Sequence, residues 1–519
     1  MSILKKDSFE TRAYQTEIAK TAANDNTLVV LPTGMGKTLI AVIVGAERLD
    51  KYGGKIMITA PTRPLNAQHT KSFEKFTNIP TEDIALITGR YDPEKRKEIY
   101  KKATIIAATP QCVQNDLENG RLDLSDFTFV VFDEAHRAVK NYAYPYIAKK
   151  YMLQAKHPLI LGLTASPGSS REKIDEITQN LFIKAVEIRS ETDGDVQPYV
   201  QETQREWVYV DFPEQYKKIK TLLEEVLKDD IKWLYEKHYI PIPRPSKKML
   251  LAAQQRVGAS YGRSRKNFGA LWAMIRSAEA IKIEHAVELL ETQGVNFLYE
   301  YFQKITSSKK RTDMRLVKNK YISEALQLVE ELHKTGEEHP KMIELKKLVK
   351  KLVGEKPDAK IIIFANYRAT VENIKNMIEN EGIKAMILIG QAIKEGGGLT
   401  QEQQIETIKK FACGDFNVLV GTSVSEEGLD IPAVDYAIFY EPVPSEIRSI
   451  QRRGRVGRQT AGKVIFLITK DTRDEAYYWA ALRKEKRMKG VLYDLRNGKS
   501  LKKKKTLIDW TKLDKGKLG

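Results

Sequence analysis

The chain has 519 residues, 42% of them hydrophobic and 30% charged, which predicts about three globular domains and excludes both a small module and a disordered chain. Cys112 and Cys413 are the only cysteines, excluding a disulfide scaffold and a Cys-based zinc site; no apolar run approaches the ~20 residues of a membrane span, Met1–Asp7 lacks a signal-peptide core, and a cytoplasmic location is expected. The 86 Lys and Arg against 68 Asp and Glu leave a net charge of +18, which fits a polyanionic partner or a solvated lysine-rich surface.

Along the chain, Thr27–Leu31, Lys55–Ala60, Ile84–Thr88, Thr104–Ala108, Phe127–Phe132 and Leu159–Thr164 are short β-branched apolar runs. Each is followed by turn or polar residues, as buried parallel strands are. Leu39–Tyr52 and Leu65–Phe76 carry helical spacing between them. This alternation predicts a doubly wound α/β domain over residues 1–204. From Pro213, Tyr216, Ile219, Leu223, Val226, Leu227, Ile231 and Leu234 recur at helical spacing, and Ile240-Pro-Ile-Pro-Arg-Pro245 stops that helix. Further helical patterns cover 268–290, 293–306 and 316–335, so residues 205–345 read as an inserted all-α domain. There Phe268 and Trp272, spaced i, i+4, read as core. Strand patterns return at Lys360–Ala365, Ala385–Ile389, Asn417–Thr422, Tyr436–Tyr440 and Lys463–Thr469, predicting a second doubly wound domain over 346–490. Residues 491–519 read as a basic tail.

The positive charge is concentrated. Residues 483–519 hold 14 Lys and Arg against 4 acids, and Lys237–Ala278 holds 9 basic residues and no acid. Within the latter, Arg263, Arg265 and Lys266 are candidates for phosphate binding.

Three stretches carry chemistry. Leu31-Pro-Thr-Gly-Met-Gly-Lys-Thr38 joins a strand to a helix. Thr33, Gly34 and Gly36 shape a loop whose amides face a phosphate, Lys37 reaches the β/γ-phosphates of ATP, and Thr38 is a ligand for Mg²⁺. Leu31 stands where the strict pattern has its first glycine. Phe127–Phe132 runs into Asp133 and Glu134, the first suited to holding hydrated Mg²⁺ and the second to orienting the attacking water. Gln451-Arg-Arg-Gly-Arg-Val-Gly-Arg458 places Arg455 and Arg458 one helical turn apart, suited to the charge developing on a transferred phosphoryl group.

The ordered set resembles the superfamily 2 helicases, whose motifs run through two RecA-like domains. Arg12-Ala-Tyr-Gln15 is similar to the adenine-reading motif, Lys37 and Thr38 to motif I, and Asp133-Glu-Ala-His136 to motif II. Thr164-Ala-Ser166 is similar to motif III, which couples the ATP and nucleic-acid sites in the family. Gly421–Asp430 is similar to motif V, placing Gly428 and Asp430 by the nucleotide, and Gln451, Arg455 and Arg458 to motif VI. The resemblance also implies backbone contacts from Thr62 and Arg63, Thr109 and Gln111, Asn366 and Arg368, and Thr422.

Within the superfamily, Phe364-Ala-Asn-Tyr-Arg368, Leu163–Gly168, Tyr440–Ser445 and Thr472–Trp479 resemble the Hef helicases, relatives of the Fanconi anaemia group M translocases. That branch implies an ATP-dependent translocase on forked or branched DNA, with the helical insert helping to grip the branch. The alternative is a double-stranded-RNA-dependent ATPase, since RNA sensors share a helical insert. The branch commonly continues into an XPF-type nuclease, whose Glu-Arg-Lys core these residues lack, so no DNA cutting is expected of them. Lys504–Thr511 resembles the archaeal sliding-clamp-binding peptide, with Lys504 in place of the usual Gln and Thr511 in place of the final aromatic; a linker is the other reading.

Overall fold

The computed structural model describes residues 3–5, 9–191, 193–199, 204–263, 268–390, 398–422, 431–442 and 462–496. In the first domain, β1 (Thr27–Val30), β5 (Phe127–Asp133) and β6 (Ile160–Thr164) are buried at every residue, as the central strands of a parallel sheet are. With β2 (Lys55–Thr59), β3 (Ile84–Ile87), β4 (Ile105–Ala108) and β7 (Ala185–Ile188) they form a parallel sheet in the order β3-β4-β2-β5-β6-β1-β7. Its helices are α1 (Ala13–Asn24), α2 (Lys37–Tyr52), α3 (Arg63–Phe76), α4 (Pro93–Lys102), α5 (Pro110–Glu118), α6 (Ala143–Gln154) and α7 (Arg171–Asn180). Two apolar clusters, one containing Leu28, Phe132 and Tyr144, the other Val29, Phe73 and Val131, enclose the sheet.

The second sheet runs β10-β11-β9-β12-β13-β8, again with every pair parallel. Its strands are β8 (Gln204–Val210), β9 (Ile361–Phe364), β10 (Ala385–Leu388), β11 (Val418–Gly421), β12 (Tyr436–Phe439) and β13 (Lys463–Thr469). β8 lies in the stretch expected to be all-helical, yet it pairs along its whole length with β13. As an edge strand it leaves Trp207 and Tyr209 exposed, so it lacks the apolar run that marks a buried strand. The helical domain is therefore inserted within the second domain, after its edge strand.

The insert comprises α8 (Glu214–Glu236), α9 (Lys247–Arg263), α10 (Phe268–Thr292), α11 (Val295–Thr306), α12 (Arg311–Val317) and α13 (Lys320–Lys334). The stripe Tyr216, Ile219, Leu223 and Val226 of α8 packs into one cluster with Val287, Leu298 and Val329, while Leu234 joins Leu250, Val257 and Ala273 in another. Phe268 and Trp272 are not core: they are 76% and 45% exposed. At this end of α10 the small Ala270 and Ala273 face inward, and the rings point away from them. The Arg315 guanidinium lies 4.7 Å over the Trp272 ring.

The chain re-enters the second domain through α14 (Pro340–Glu355), α15 (Arg368–Asn380) and α16 (Gln401–Cys413). The last described helix, α17 (Arg473–Arg496), runs past residue 490, where the basic tail was expected to begin, and its Leu492 is buried. α17 joins all three parts. Arg473 pairs with Glu284 and Glu291 of α10 at 3.2 and 3.0 Å, Tyr478 packs on Phe466, and Met488 and Leu492 enter a core cluster of the first domain.

Candidate functional site

β5, β6 and β1 are neighbours in the first sheet, so their carboxyl ends bring three loops together. After β1, the loop from Leu31 turns through Gly34 (φ 84°) and Gly36 (φ 74°) into α2. Gly36 suits this turn because its φ is left-handed, and a Cβ there, 2.3 Å from Gln15 Nε2, would displace that amide. The Lys37 ammonium donates to the carbonyls of Leu31 (2.9 Å) and Pro32 (3.2 Å), which holds it over its own loop. Thr33 Oγ1 is buried without a hydrogen-bond partner. The N-terminus of α2, an ammonium and the orphaned Thr33 hydroxyl form a cradle that fits a polyphosphate.

α1 fixes this loop from outside. Tyr14 Oη and Gln15 Nε2 both donate to the Met35 carbonyl, at 2.9 and 3.2 Å, and Gln15 Oε1 accepts the Arg12 N–H at 3.1 Å. The amide of Gln15, expected to read adenine, is thus turned onto protein groups and buried. The Arg12 guanidinium lies 4.7 Å over the Tyr199 ring, a partner that no motif signalled.

Asp133 closes β5 and is nearly buried. Its Oδ2 lies 2.9 Å from His69 Nε2, and its Oδ1 accepts the Glu134 N–H at 2.9 Å. Burial alone would raise its pKa; the His69 ring, the Lys37 ammonium and that N–H outweigh it, so the carboxyl stays below the usual aspartate value. Glu134 has φ 51° and ψ 49°, a left-handed conformation that costs a non-glycine residue about 1 kcal/mol. The turn carries its side chain out of the strand direction. His136 Nδ1 sits 3.1 Å from Glu134 Oε2 and 3.3 Å from Thr164 Oγ1. Thr164 Oγ1 accepts the Ser166 N–H at 3.1 Å, and the Ser166 hydroxyl donates to Met488 Sδ of α17 at 2.9 Å. A continuous line of contacts therefore runs from Glu134 to the helix that returns from the second domain. Among the described residues, no three His, Cys, Asp or Glu side chains gather to hold a metal alone.

The expected backbone-binding residues occupy strand ends. Thr62 and Thr109 are the N-caps of α3 and α5, which follow the adjacent strands β2 and β4 and each carry proline in the first turn. Thr62 Oγ1 is buried without a hydrogen-bond partner, and Arg63 and Gln111 are exposed. In the second sheet, Asn366 and Arg368 follow β9, and Thr422 follows its neighbour β11.

The loop after β9 is bolted to the insert. Tyr367 Oη donates to Glu288 Oε1 of α10 at 3.1 Å, and Lys247 of α9 pairs with Glu288 at 2.6 Å. The Asn366 N–H donates to Glu441 Oε2 at 2.5 Å, while Gln293, in the turn after α10, bonds both Glu441 and Thr370. Burial pushes the Glu441 carboxyl up to about 7, with Lys341 pulling against it. Nothing in the spacing of these residues announced the network.

Gly428, Asp430, Gln451, Arg455, Arg458, Arg265, Lys266 and Lys504–Thr511 lie outside the described residues, as does the side chain of Arg263.

Known proteins share this layout. The DEAD/DEAH box helicase family matches residues 12–174, and the helicase conserved C-terminal domain matches 341–460. Residues 215–335 match the family described as "Putative ATP-dependent RNA helicase, helical bundle". A Methanocaldococcus jannaschii protein named "Putative ATP-dependent RNA helicase" is 43% identical over 95% of this chain and 62% of its own length. An ATP-dependent DNA helicase of Neurospora crassa is 32% identical over 90% of this chain and 41% of its own length. The chain thus spans less than two thirds of either relative. The crystal structure of the Pyrococcus furiosus Hef helicase domain superposes with a TM-score of 0.73 at 46% identity, covering 92% of this chain and all of that one.

Proposed function

We propose that this chain, which belongs to the superfamily 2 helicases in the branch of the Hef helicase domain, uses ATP hydrolysis to move along DNA and remodel forks and branched junctions. The observation that carries the reading is the pair of grips on one machine: a polyphosphate cradle at Lys37, and hydroxyls and helix N-termini at the strand ends of both sheets. Phosphate contacts of this kind position a strand without reading its sequence.

In this reading the loop from Thr33 to Thr38 holds the ATP phosphates, and Arg12 and Gln15 border the base. Thr38 and Asp133 fit a hydrated Mg²⁺, which needs few protein oxygens besides those of the phosphates and supplies charge neutralisation there. Glu134 orients water and takes its proton. Gln451, Arg455 and Arg458, with Gly428 and Asp430, complete the site from the second domain. Thr62, Arg63, Thr109 and Gln111 grip the strand from one sheet, and Asn366, Arg368 and Thr422 from the other. Alternate closing and opening of the two domains then moves one grip past the other. Thr164 and Ser166 couple the two events, since they contact both His136 and α17.

The insert reads as the branch-binding element, through its acid-free basic stretch with Arg263, Arg265 and Lys266 and through the exposed Phe268 and Trp272. Lys504–Thr511 is proposed to dock on a sliding clamp, and the protein to work at the cytoplasmic nucleoid. No helix among the described residues is long and apolar enough to cross a membrane.

The test is ATPase rate at one salt concentration with no nucleic acid, fork DNA, linear duplex, single-stranded DNA and double-stranded RNA. The reading requires the largest stimulation by fork DNA. Largest stimulation by RNA would replace it with an RNA-remodelling ATPase.

A further inference from the structure

Two buried polar side chains stand one turn apart on α3, Asn66 and His69, and no motif assigns them a role. Residues at i and i+3 share a helix face. Asn66 spends its whole amide on the loop before the helix: Oδ1 accepts the Ala60 N–H at 3.1 Å, and Nδ2 donates to the carbonyls of Ala60 and Thr62 at 2.8 and 2.9 Å. His69 spends its Nε2–H on Asp133 Oδ2 at 2.9 Å, and its Nδ1 is buried with no hydrogen-bond partner. The opposite edge of the same carboxylate is held by the Glu134 N–H. The His69 bond therefore sets the rotation of the Asp133 carboxylate, and it does so from a helix whose N-cap is Thr62 and whose first residue is Arg63.

Buried polar groups are costly unless paired, so a ring placed here with one nitrogen bonded and the other unsatisfied needs a reason beyond packing. α3 provides it. From its N-cap to His69 is about 10 Å of helix, a rigid distance. Asn66 fastens the phosphate-contacting loop to this rod, and His69 fastens the metal-binding carboxylate to it.

We propose that His69 is a positioning residue for Asp133, and that the Asn66–His69 face of α3 transmits occupancy of the Pro61–Arg63 strand site to the cation site. The inference rests on the roles proposed above for Asp133 and for residues 61–63. An outer partner that orients a ligating group changes metal affinity by about 10- to 100-fold when removed. Coupling is reciprocal, so a strand bound at α3 tightens the cation as much as the cation tightens the strand.

The test uses Mn²⁺ as the probe, titrated by electron paramagnetic resonance onto the full chain with a non-hydrolysable ATP analogue, with and without single-stranded DNA. His69→Leu keeps bulk and removes the donor; His69→Gln keeps an amide donor. The proposal requires His69→Leu to weaken Mn²⁺ at least about 10-fold and to abolish the tightening by DNA, with His69→Gln within about threefold of the parent. Parent-like Mn²⁺ affinity in His69→Leu overturns it, as does equal loss in both variants, which would mark a packing role. Asp133→Asn separates the two layers: if it leaves Mn²⁺ binding unchanged, the reading of Asp133 falls, and if it weakens binding while His69→Leu does not, only the positioning role falls.

Discussion

Glu441 offers a perturbation whose size follows from its surroundings. It is 1% exposed and accepts hydrogen bonds from Gln293 of the insert and from the Asn366 N–H. Burial raises its carboxyl from 4.5 to about 7. A raised pKa means that the folded protein keeps a proton which the unfolded chain releases. Below about pH 4.5 both states hold it and there is no penalty. As pH rises through about 7 the folded state must carry a buried charge, and stability falls across that window. At about 1.4 kcal/mol per pH unit, the loss is about 3 kcal/mol. Glu441→Gln removes the titration. The variant should gain about 2.5 kcal/mol on the parent between pH 5 and pH 8, read as the difference in urea denaturation free energies at the two pH values. Parallel pH profiles for the two proteins would show that Glu441 is not a buried titrating carboxyl, and the account of the insert–loop joint would fail.

Further outcomes follow from the same geometry. Lys37→Ala should lower ATP hydrolysis by at least about 100-fold while DNA binding persists; normal turnover would remove the phosphate-site assignment. Met488→Ala should cost about 2–5 kcal/mol, because Met488 is buried in the first domain's core as well as against Ser166, and a change under about 0.5 kcal/mol in urea denaturation would mean that α17 does not dock there. Neutralising Arg263, Arg265 and Lys266 together should weaken fork binding and reduce the salt slope by about 2 to 3; an unchanged slope would make the insert a spacer.

Much of this architecture is legible in the sequence because parallel sheets write themselves as apolar runs. Val418–Gly421 and Tyr436–Phe439 are strands where runs were expected, and the Lys37 loop joins a strand to a helix as its motif demands. Strands that break the pattern escaped. β8 alternates exposed and half-buried residues at a sheet edge, and β7, partly exposed, follows the last run that was expected. Phe268 and Trp272 have helical spacing, but spacing does not say which end of a hairpin is covered; small alanines took the inner positions. The working partners Asn66, His69, Gln293, Glu441 and Met488 were invisible for a related reason. All but Asn66, which bonds the nearby Ala60 and Thr62, bond or pack against something distant in the chain, as Gln293 does with Glu441 and Met488 with Ser166. Such pairings come from topology, and no local pattern encodes them.

The central claim is that ATP turnover at Lys37, Asp133 and Glu134 drives movement along branched DNA. The most direct measurement follows a fluorescent strand on a three-way DNA junction, with ATP or a non-hydrolysable analogue, for the parent and for Glu134→Gln. The account predicts strand displacement by the parent with ATP alone, and none by Glu134→Gln, which should still bind the junction. Displacement without hydrolysis, or no displacement by a parent that hydrolyses ATP on the same junction, would contradict it.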